Sequence, residues 1–217
     1  VQNCTDAATS ASAAITLDRV SPGFDTGVSI VVNDGAAQTS SSVVQVKIQT
    51  GDAVRLRFGT TETLTGAAWL PVEPEQTLSF ETAVALGDGT KTVYAQFADA
   101  AGNESATSPN PFFDSIILDT QAPTAPSVSI TGAPTDPPGN GYTNASTVPL
   151  TLSAQGTPAQ MQVNVGALED FSSATWETFA ASKTLTLPGA GSWRIYARFR
   201  DAAGNVSATA STTIVRD

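Results

Sequence analysis

Histidine is absent from this sequence, and cysteine occurs once, as Cys4. Without histidine, the chain cannot build a Ser-His-Asp set, a Cys-His set or a histidine-based zinc site from its own residues. A single cysteine cannot form an intramolecular disulfide, so packing alone must stabilise the folded parts. Cys4 lies among alanines, serines and threonines without a neighbouring base. A small structural residue is therefore the favoured interpretation, and a catalytic nucleophile is the alternative.

Charged residues and long apolar runs are also scarce. Only 14% of the residues are charged, and the net charge at pH 7 is −10. Binding to a phosphate backbone needs clustered Lys and Arg, so we expect no nucleic-acid partner. No apolar stretch reaches the about 18 residues that a membrane-spanning helix needs, which predicts no membrane insertion of this segment. The first residues lack the basic and then apolar pattern of a signal peptide, so we expect any export signal to lie outside this sequence.

The residues that are present favour β-structure. Hydrophobic residues make up 41% of the chain, enough for packed cores, and Thr, Ser, Ala, Val and Gly are abundant. This composition suits short strands and turns. Apolar residues alternate with polar ones over residues 44–48 and 148–152, and a period of two indicates a half-buried strand. We therefore predict an all-β protein.

The chain contains an internal repeat. Residues 93–105 read VYAQFADAAGNES, residues 195–207 read IYARFRDAAGNVS, and the two blocks match at an offset of 102 positions. Trp69 matches Trp176 at an offset of 107, and the changed offset indicates small loop insertions. Self-similarity of this kind indicates tandem copies of one structural unit.

The repeat predicts two domains. The first repeat covers residues 19–119 and the second covers residues 120–217, with about six or seven strand patterns in each, the number typical of an immunoglobulin-like sandwich. Residues 1–18 are predicted to be the tail strand of a preceding repeat or a disordered segment. Residues 119–126 contain two prolines and no apolar periodicity, which indicates a short, stiff linker. The predicted fold is two tandem immunoglobulin-like, Greek-key β-sandwiches joined by this proline-containing linker.

A family resemblance rests on one motif above all. The pattern D-A-A-G-N-x-S occurs at Asp99–Ser105 and again at Asp201–Ser207, and the first copy is followed by a strand and the phrase LDTQAP. The chain from Ile15 to Asp217 resembles the bacterial Ig-like repeats found in tandem in large surface and secreted proteins. The resemblance implies an exported bacterial protein at the cell surface or outside the cell, with a role as stalk, spacer or adhesive array. It names no ligand, and fold alone does not fix function.

The same motif admits a structural and a functional interpretation. Gly102 suits a positive φ, and the Asp and Asn side chains can hydrogen-bond the turn backbone, so a structural turn is the favoured prediction. The alternative is a calcium ion, because Ca²⁺ prefers clustered oxygen ligands. In the predicted sandwich, the loop before the last strand of the second repeat lies near the linker. The calcium ligands predicted for this junction are Asp119, Asp201, Asn205, Asp34 and Asp88.

Aromatic and basic residues supply the other candidate sites. Trp69 and Trp176 each lie eleven positions beyond a predicted strand, residues 54–58 or 161–165. Core packing is the favoured prediction for both, and a carbohydrate-stacking platform is the alternative. Trp193 shares the core-facing parity of its strand, so we expect it to be packed or partly covered. The opposite face of that strand is predicted to be a solvated, exposed stripe or a binding face for an acidic partner or a glycan. This stripe consists of Arg194, Tyr196, Arg198 and Arg200.

No residue set predicts catalysis. Two pairs of neighbouring acids, Glu73 with Glu75 and Glu169 with Asp170, could hydrolyse a sugar bond in principle. They fall on predicted loops without a counterpart in the other repeat, so solvated charges are the favoured interpretation. We therefore predict a non-enzymatic structural or adhesive module whose partners are neighbouring repeats, with a glycan or a host-cell surface protein as further candidate partners. The alternative is an accessory carbohydrate-binding module of a secreted glycan-active enzyme.

Overall fold

The computed structural model describes residues 17–131 and 141–217. These residues form β-strands and turns without an α-helix, apart from two single turns of 3₁₀ type at Phe24–Thr26 and Asn33–Gly35. The all-β prediction is therefore confirmed. Cys4 and most of the predicted tail segment lie outside the described residues.

In the part of the chain that the structure describes, each repeat contains six longer strands and two strands of two residues. The strands of the first repeat are β1 (Val28–Val32), β2 (Gln38–Thr39), β3 (Val43–Thr50), β4 (Arg55–Gly59), β5 (Leu70–Pro71), β6 (Thr77–Ala83), β7 (Gly89–Ala98) and β8 (Phe113–Leu118). Those of the second repeat are β9 (Thr124–Ile130), β10 (Tyr142–Thr143), β11 (Thr147–Gln155), β12 (Gln160–Gly166), β13 (Glu177–Thr178), β14 (Ser182–Thr186), β15 (Gly191–Arg200) and β16 (Ala210–Arg216). The sequence predicted the longer strands and missed the short ones.

The strands of each repeat form one three-stranded and one five-stranded sheet. The sheets of the first repeat have the orders β1-β3-β6 and β2-β8-β7-β4-β5, and those of the second repeat have the orders β9-β11-β14 and β10-β16-β15-β12-β13. The two-residue strands β2 and β10 pair in parallel with the last strand of their repeat. The result is two tandem immunoglobulin-like sandwiches of the same topology. This confirms the predicted fold.

Alternation along the strands places the apolar residues in the core. The second repeat buries Val128, Val148, Leu150, Leu152, Met161, Leu187, Ile195, Ala197, Phe199 and Ile214 in one cluster. The first repeat buries a similar set, which includes Val28, Val32, Val44, Val46, Ile48, Leu56, Val93, Ala95, Phe97, Ile116 and Leu118. The polar residues between them point to the outer faces, as the period of two predicts.

The strand register corrects one detail of the repeat alignment. Leu56 on β4 lies opposite Phe97 on β7, and Met161 on β12 lies opposite Phe199 on β15. Leu56 therefore corresponds to Met161, whereas the sequence match aligned residues 54–58 with 161–165. That alignment was wrong by two positions. A shift of two residues keeps every side chain on its face, so the apolar pattern cannot detect it.

Within the described residues, no helix has the length and apolar character needed to cross a membrane.

Candidate functional site

The D-A-A-G-N-x-S loop of the first repeat is a closed hydrogen-bonded turn. The backbone N–H of Asn103 donates to Asp99 Oδ1 at 2.9 Å, and Asn103 Nδ2 donates to Asp99 Oδ2 at 2.9 Å. Gly102 lies at a φ of +89°, a conformation that glycine adopts without a steric penalty. The hydroxyl of Ser105 accepts a hydrogen bond from the N–H of Phe97 at 3.0 Å. The structural turn predicted for this motif is confirmed.

The second repeat builds the same loop with nearly the same distances. Asn205 donates from N and from Nδ2 to the two carboxylate oxygens of Asp201, both at 2.9 Å. Ser207 Oγ accepts from the N–H of Phe199 at 3.0 Å. Both aspartates are buried, with 6% of Asp99 and 4% of Asp201 exposed. Burial of a carboxylate requires hydrogen-bond donors, and each asparagine supplies two of them.

Each loop also holds the chain segment that leads into its repeat. Asn205 Nδ2 donates to the backbone oxygen of Asp119, the first residue of the linker, at 2.8 Å. Asn103 Nδ2 donates to the backbone oxygens of Asp18 and Val20, at 3.3 Å each. We call these two Asp-Asn pairs with their bonds to the preceding segment the Asp-Asn clamps. The motif therefore has a defined task in both repeats, which is to fix the incoming backbone.

The linker has a second attachment at Thr120. The N–H and the hydroxyl of Thr120 both donate to Asp88 Oδ1, at 2.9 and 2.8 Å. The hydroxyl bond and then the backbone bond lower the pKa of Asp88 below its ordinary value of 3.8. Asp119 Oδ1 also accepts from the N–H of Gln121 at 3.0 Å, which gives the start of the linker a local turn. Consecutive linker residues are thus hydrogen-bonded on both sides.

The pKa of Asp99 follows from its closed turn. Burial raises the pKa of this carboxyl, but the side chain and N–H of Asn103 and the N–H groups of Ala101 and Gly102 lower it by more. The net effect is a pKa below the ordinary value of 3.8. Hydrogen bonds to the charged form stabilise that form. The ionised Asp99 is therefore part of the folded structure of the first repeat.

The predicted calcium ligands occupy several separate places. Asp201 and Asn205 lie together in the clamp, and Asp119 joins them through its backbone oxygen. Asp88 binds the neighbouring Thr120, and Asp34 lies in the tight turn after β1. Within residues 17–131 and 141–217, no three acidic, Cys or His side chains form a group that could hold a metal ion. The amide nitrogen of Asn205 points to Asp119, so this side chain presents a donor there. Calcium binding remains a prediction.

The outer face of the first repeat carries an arginine–tryptophan stack. Arg55 and Arg57 lie on β4 on either side of the buried Leu56 and therefore project from the outer face. Their guanidinium carbons lie 5.4 and 4.8 Å from the centroid of the Trp69 ring. Trp69 is only half-buried, so the prediction that it packs in the core was wrong. Cation–π contacts of this kind stabilise a partly exposed ring.

The second repeat has an equivalent stack around Trp176, which is also half-buried. The guanidinium carbons of Arg198 and Arg200 lie 5.4 and 4.5 Å from the centroid of its ring. Arg198 also lies over Phe171, at 4.3 Å. The core prediction was wrong for Trp176 as well. A period of two identifies which strand residues face inward, but it does not say where a tryptophan in the following loop will pack.

The two stacks take their arginines from different strands. In the first repeat, Arg57 on β4 donates from Nε to Gln96 on β7 at 2.7 Å. In the second repeat, Arg198 on β15 donates from Nε to Gln162 on β12 at 2.7 Å. The register makes β4 equivalent to β12 and β7 equivalent to β15. The same Arg-Gln pair is therefore present in both repeats with its partners exchanged.

The arginine stripe on β15 is not uniformly exposed. Only 5% of Tyr196 is exposed, so the predicted exposure of the whole stripe was wrong at this position. Residues 167–175, between β12 and β13, are bound to the outer side of β12, where Gln162 donates to the backbone oxygen of Ala174 at 2.7 Å. Arg194 is exposed, and Arg198 and Arg200 are half-buried. A role as a binding face remains a prediction for the three arginines.

The remaining candidates have ordinary surroundings. Trp193 packs against the core of the second repeat and donates to the backbone oxygen of Gly189 at 2.8 Å, which confirms that it is partly covered. Both pairs of neighbouring acids lie on exposed segments between strands. The N–H and then the hydroxyl of Ser172 lower the pKa of Asp170. A general acid for glycoside hydrolysis needs a raised pKa, so the lowered pKa of Asp170 does not suit that role.

The sequence predicted that the loop of the second repeat lies near the linker, and the bond from Asn205 to Asp119 confirms this. The clamp bonds themselves and the arginine–tryptophan stacks were missed. The clamp bond to the preceding segment had a signal, because an LD dipeptide precedes each repeat, at positions 17–18 and 118–119. The stacks also had one, because each repeat contains Arg-x-Arg and a repeated tryptophan. Neither signal indicates contact without the strand register. Long-range pairs of this kind become visible only in the fold.

Comparisons with known proteins establish the fold and no family. No family model matches the chain, and no curated protein matches it. The chain is similar to the solved fibronectin(III)-like modules of Clostridium thermocellum CbhA, with a TM-score of 0.50, 12% identity, and coverage of 87% of this chain and 94% of that chain. The FN1-FN3 domains of chicken CNTN1 give a TM-score of 0.47 at 13% identity and cover 86% and 66% of the two chains. A tetra-tandem repeat from the extending region of a large adhesion protein gives 0.31 at 19% identity and covers 86% and 48%.

Proposed function

We propose that this chain is a non-enzymatic structural segment of an exported bacterial protein, in which two repeats act as a spacer that displays other domains away from the cell surface. The observation that carries the proposal is the Asp-Asn clamp, which in each repeat binds the backbone of the segment leading into it. A spacer holds the domains that it displays at a fixed distance only if the segments between its modules are ordered. The similarity in fold to the fibronectin(III)-like modules of CbhA supports the same role.

The linker has the properties of a spacer connection. Asn205 binds the backbone oxygen of Asp119, and Asp88 binds both donors of Thr120. Pro123 ends the linker and restricts its backbone further. Pro126 lies in β9, which begins at Thr124, so the linker is shorter than the predicted residues 119–126. We take residues 19–119 and 120–217 as the two modules and neighbouring repeats as their immediate partners.

The carbohydrate-binding alternative lacks its expected feature. A sugar-stacking platform needs an aromatic ring with a free, flat face. All three tryptophans lie in the described residues, and each is only half-exposed. Trp69 and Trp176 have guanidinium groups over their rings, and Trp193 packs against the core. These contacts favour a structural role for the tryptophans.

Limited proteolysis of the linker tests the proposal. We expect Asn205→Ala to speed cleavage between Asp119 and Pro123 by proteinase K by about threefold to tenfold, because a hydrogen bond worth about 1 kcal/mol is lost from the closed state. Asn103→Ala is the matched control, since it removes the same side chain from the other clamp. It should leave linker cleavage unchanged. Equal cleavage of the wild-type and Asn205→Ala chains would mean that the clamp does not order the linker, and the spacer proposal would lose its support.

A further inference from the structure

The second repeat presents two arginines in a fixed arrangement on the outer face of its five-stranded sheet. Arg198 donates from Nε to Gln162 at 2.7 Å, and Arg200 donates from Nε to Gln160 at 2.5 Å. Each guanidinium also lies over an aromatic ring, that of Phe171 or Trp176. A guanidinium with Nε engaged still has its two terminal NH₂ groups, which form the fork that matches a carboxylate. The side chains are therefore preorganised.

The positive charges of these arginines are not balanced by a neighbouring acid. No carboxylate of the described residues lies within 4.0 Å of either guanidinium, and the Glu177 carboxylate pairs with Lys183 instead. Like charges held side by side on one strand repel each other, and a bound anion would relieve that repulsion. The surrounding repeat does not oppose an anion strongly, since residues 120–217 carry five basic and six acidic residues.

The first repeat differs at one informative position. Glu104 forms a bridge with Ala98 at the end of β7, and Val206 forms the equivalent bridge with Arg200 at the end of β15. Glu104 accepts a hydrogen bond from Gln96 at 3.3 Å, and Gln96 in turn accepts from Arg57. A carboxylate thus belongs to the network of the first stack. In the second stack, the equivalent residue is an apolar side chain that is 42% exposed.

We propose that the outer face around Arg198 and Arg200 binds an extended acidic peptide segment of a partner protein, with carboxylates at alternate positions. Same-face residues of a strand repeat at about 6.6–6.8 Å, and an extended peptide repeats its side chains at the same interval. Two consecutive same-face carboxylates therefore meet two guanidinium forks in register. The exposed Val206 beside the stack offers an apolar contact to the peptide. Exposed Arg194, further along the same face, extends the positive stripe.

Binding of two peptides tests the spacing directly. The probes are fluorescein-labelled, acetylated Thr-Glu-Thr-Glu-Thr-Glu-Thr and its isomer Thr-Glu-Glu-Thr-Thr-Glu-Thr, which has the same charge but no two glutamates at positions i and i+2. Fluorescence anisotropy with the whole chain should show that the alternating peptide binds at least about threefold more tightly than its isomer. Its binding should be weaker at about 0.15 M salt than at low salt, because salt screens the charges. Equal affinity for the two isomers would overturn the register argument.

Substitutions of the two arginines test whether they form the peptide-binding site. Arg198→Gln with Arg200→Gln should weaken binding of the alternating peptide about tenfold, the loss expected for two charge-assisted pairs. Arg55→Gln with Arg57→Gln in the first repeat is the matched control and should leave the affinity unchanged. If the glutamine pair in the second repeat lowers the melting temperature, Arg198→Lys with Arg200→Lys retains the charge without the fork, and binding should still weaken.

Two further results would overturn the proposal. One is unchanged peptide affinity in the substituted second repeat. The other is tighter binding of polygalacturonate than of the alternating peptide, which would assign the face to an acidic polysaccharide. The proposal is independent of the spacer role, because linker cleavage and peptide binding are measured on different residues. A failure of one experiment does not alter the outcome of the other.

Discussion

Gly51 is the position where a single added methyl group should damage the first repeat most clearly. This glycine lies in the turn between β3 and β4 with a φ of +53°. A Cβ atom at this position would clash with the backbone oxygen of Thr26 and lie 2.9 Å from the backbone nitrogen of Val28. These neighbours are main-chain atoms of the 3₁₀ turn and of the first residue of β1, so they cannot move aside as a flexible side chain can. Gly51→Ala therefore forces the turn and the first strand apart.

The size of the effect can be separated into two parts. A non-glycine residue in the left-handed region costs about 1–2 kcal/mol, and forcing extra volume into a packed site costs a further amount of about 1–3 kcal/mol. We expect Gly51→Ala to lower the free energy of unfolding by about 3 kcal/mol or more. For a domain of about 100 residues, this corresponds to a fall in melting temperature of at least about 12 °C. Gly66→Ala is the control, because Gly66 has a φ of +83° and a methyl group there would meet no atom within 4 Å.

Differential scanning calorimetry of the whole chain measures both variants. Gly66→Ala should show only the conformational cost of about 1–2 kcal/mol, and Gly51→Ala should show clearly more in the transition that includes the first repeat. Equal destabilisation by the two substitutions would refute the reasoning, because it would mean that the contact between the turn and the start of β1 carries no steric constraint.

Two further predictions concern the acids of the loops. The pKa of Asp99 is lowered from 3.8, so its contribution to stability is present above the unfolded-state value and is lost as the pH falls through the lower, folded-state pKa. Unfolding measured from neutral to strongly acidic pH should therefore show a smaller loss of stability below about pH 4 in Asp99→Asn than in wild type. Identical pH profiles for the two proteins would contradict this assignment. For the predicted calcium site at Asp201 and Asp88, thermal unfolding with calcium and with excess chelator gives the test. A site filled at a hundred times its dissociation constant would add about 2.7 kcal/mol, and coincident curves would rule out an ion bound only by the folded state.

The sequence was sufficient for the fold because local pattern and internal repetition agree. Alternation around Val46 and Leu150 identified core-facing residues, and both are buried. The repeated D-A-A-G-N-x-S motif correctly indicated a turn, since Asp, Gly and Asn each have a local reason to be there. The two-residue strands β2 and β10 were missed because a strand of that length has no period to detect. Their residues are held by pairing with the last strand of the repeat.

The candidate sites were less predictable because they depend on contacts between distant segments. Tyr196 has the parity of an exposed residue, yet only 5% of it is exposed. Trp69 and Trp176 return from a loop onto the outer face, where arginines from neighbouring strands cover them. Composition predicts that a tryptophan will be covered, but it does not determine whether core residues or guanidinium groups cover it.

The exchanged Arg-Gln pair constrains how such repeats can diverge. Arg57 with Gln96 and Gln162 with Arg198 are two forms of one cross-strand contact. If one form gave rise to the other by single substitutions, the intermediate was either Gln-Gln or Arg-Arg. Two glutamines at these facing strand positions can hydrogen-bond each other, whereas two guanidinium groups there repel each other. The route through the uncharged Gln-Gln intermediate is therefore the less costly one. Related repeats should consequently show covariation between these two strand positions.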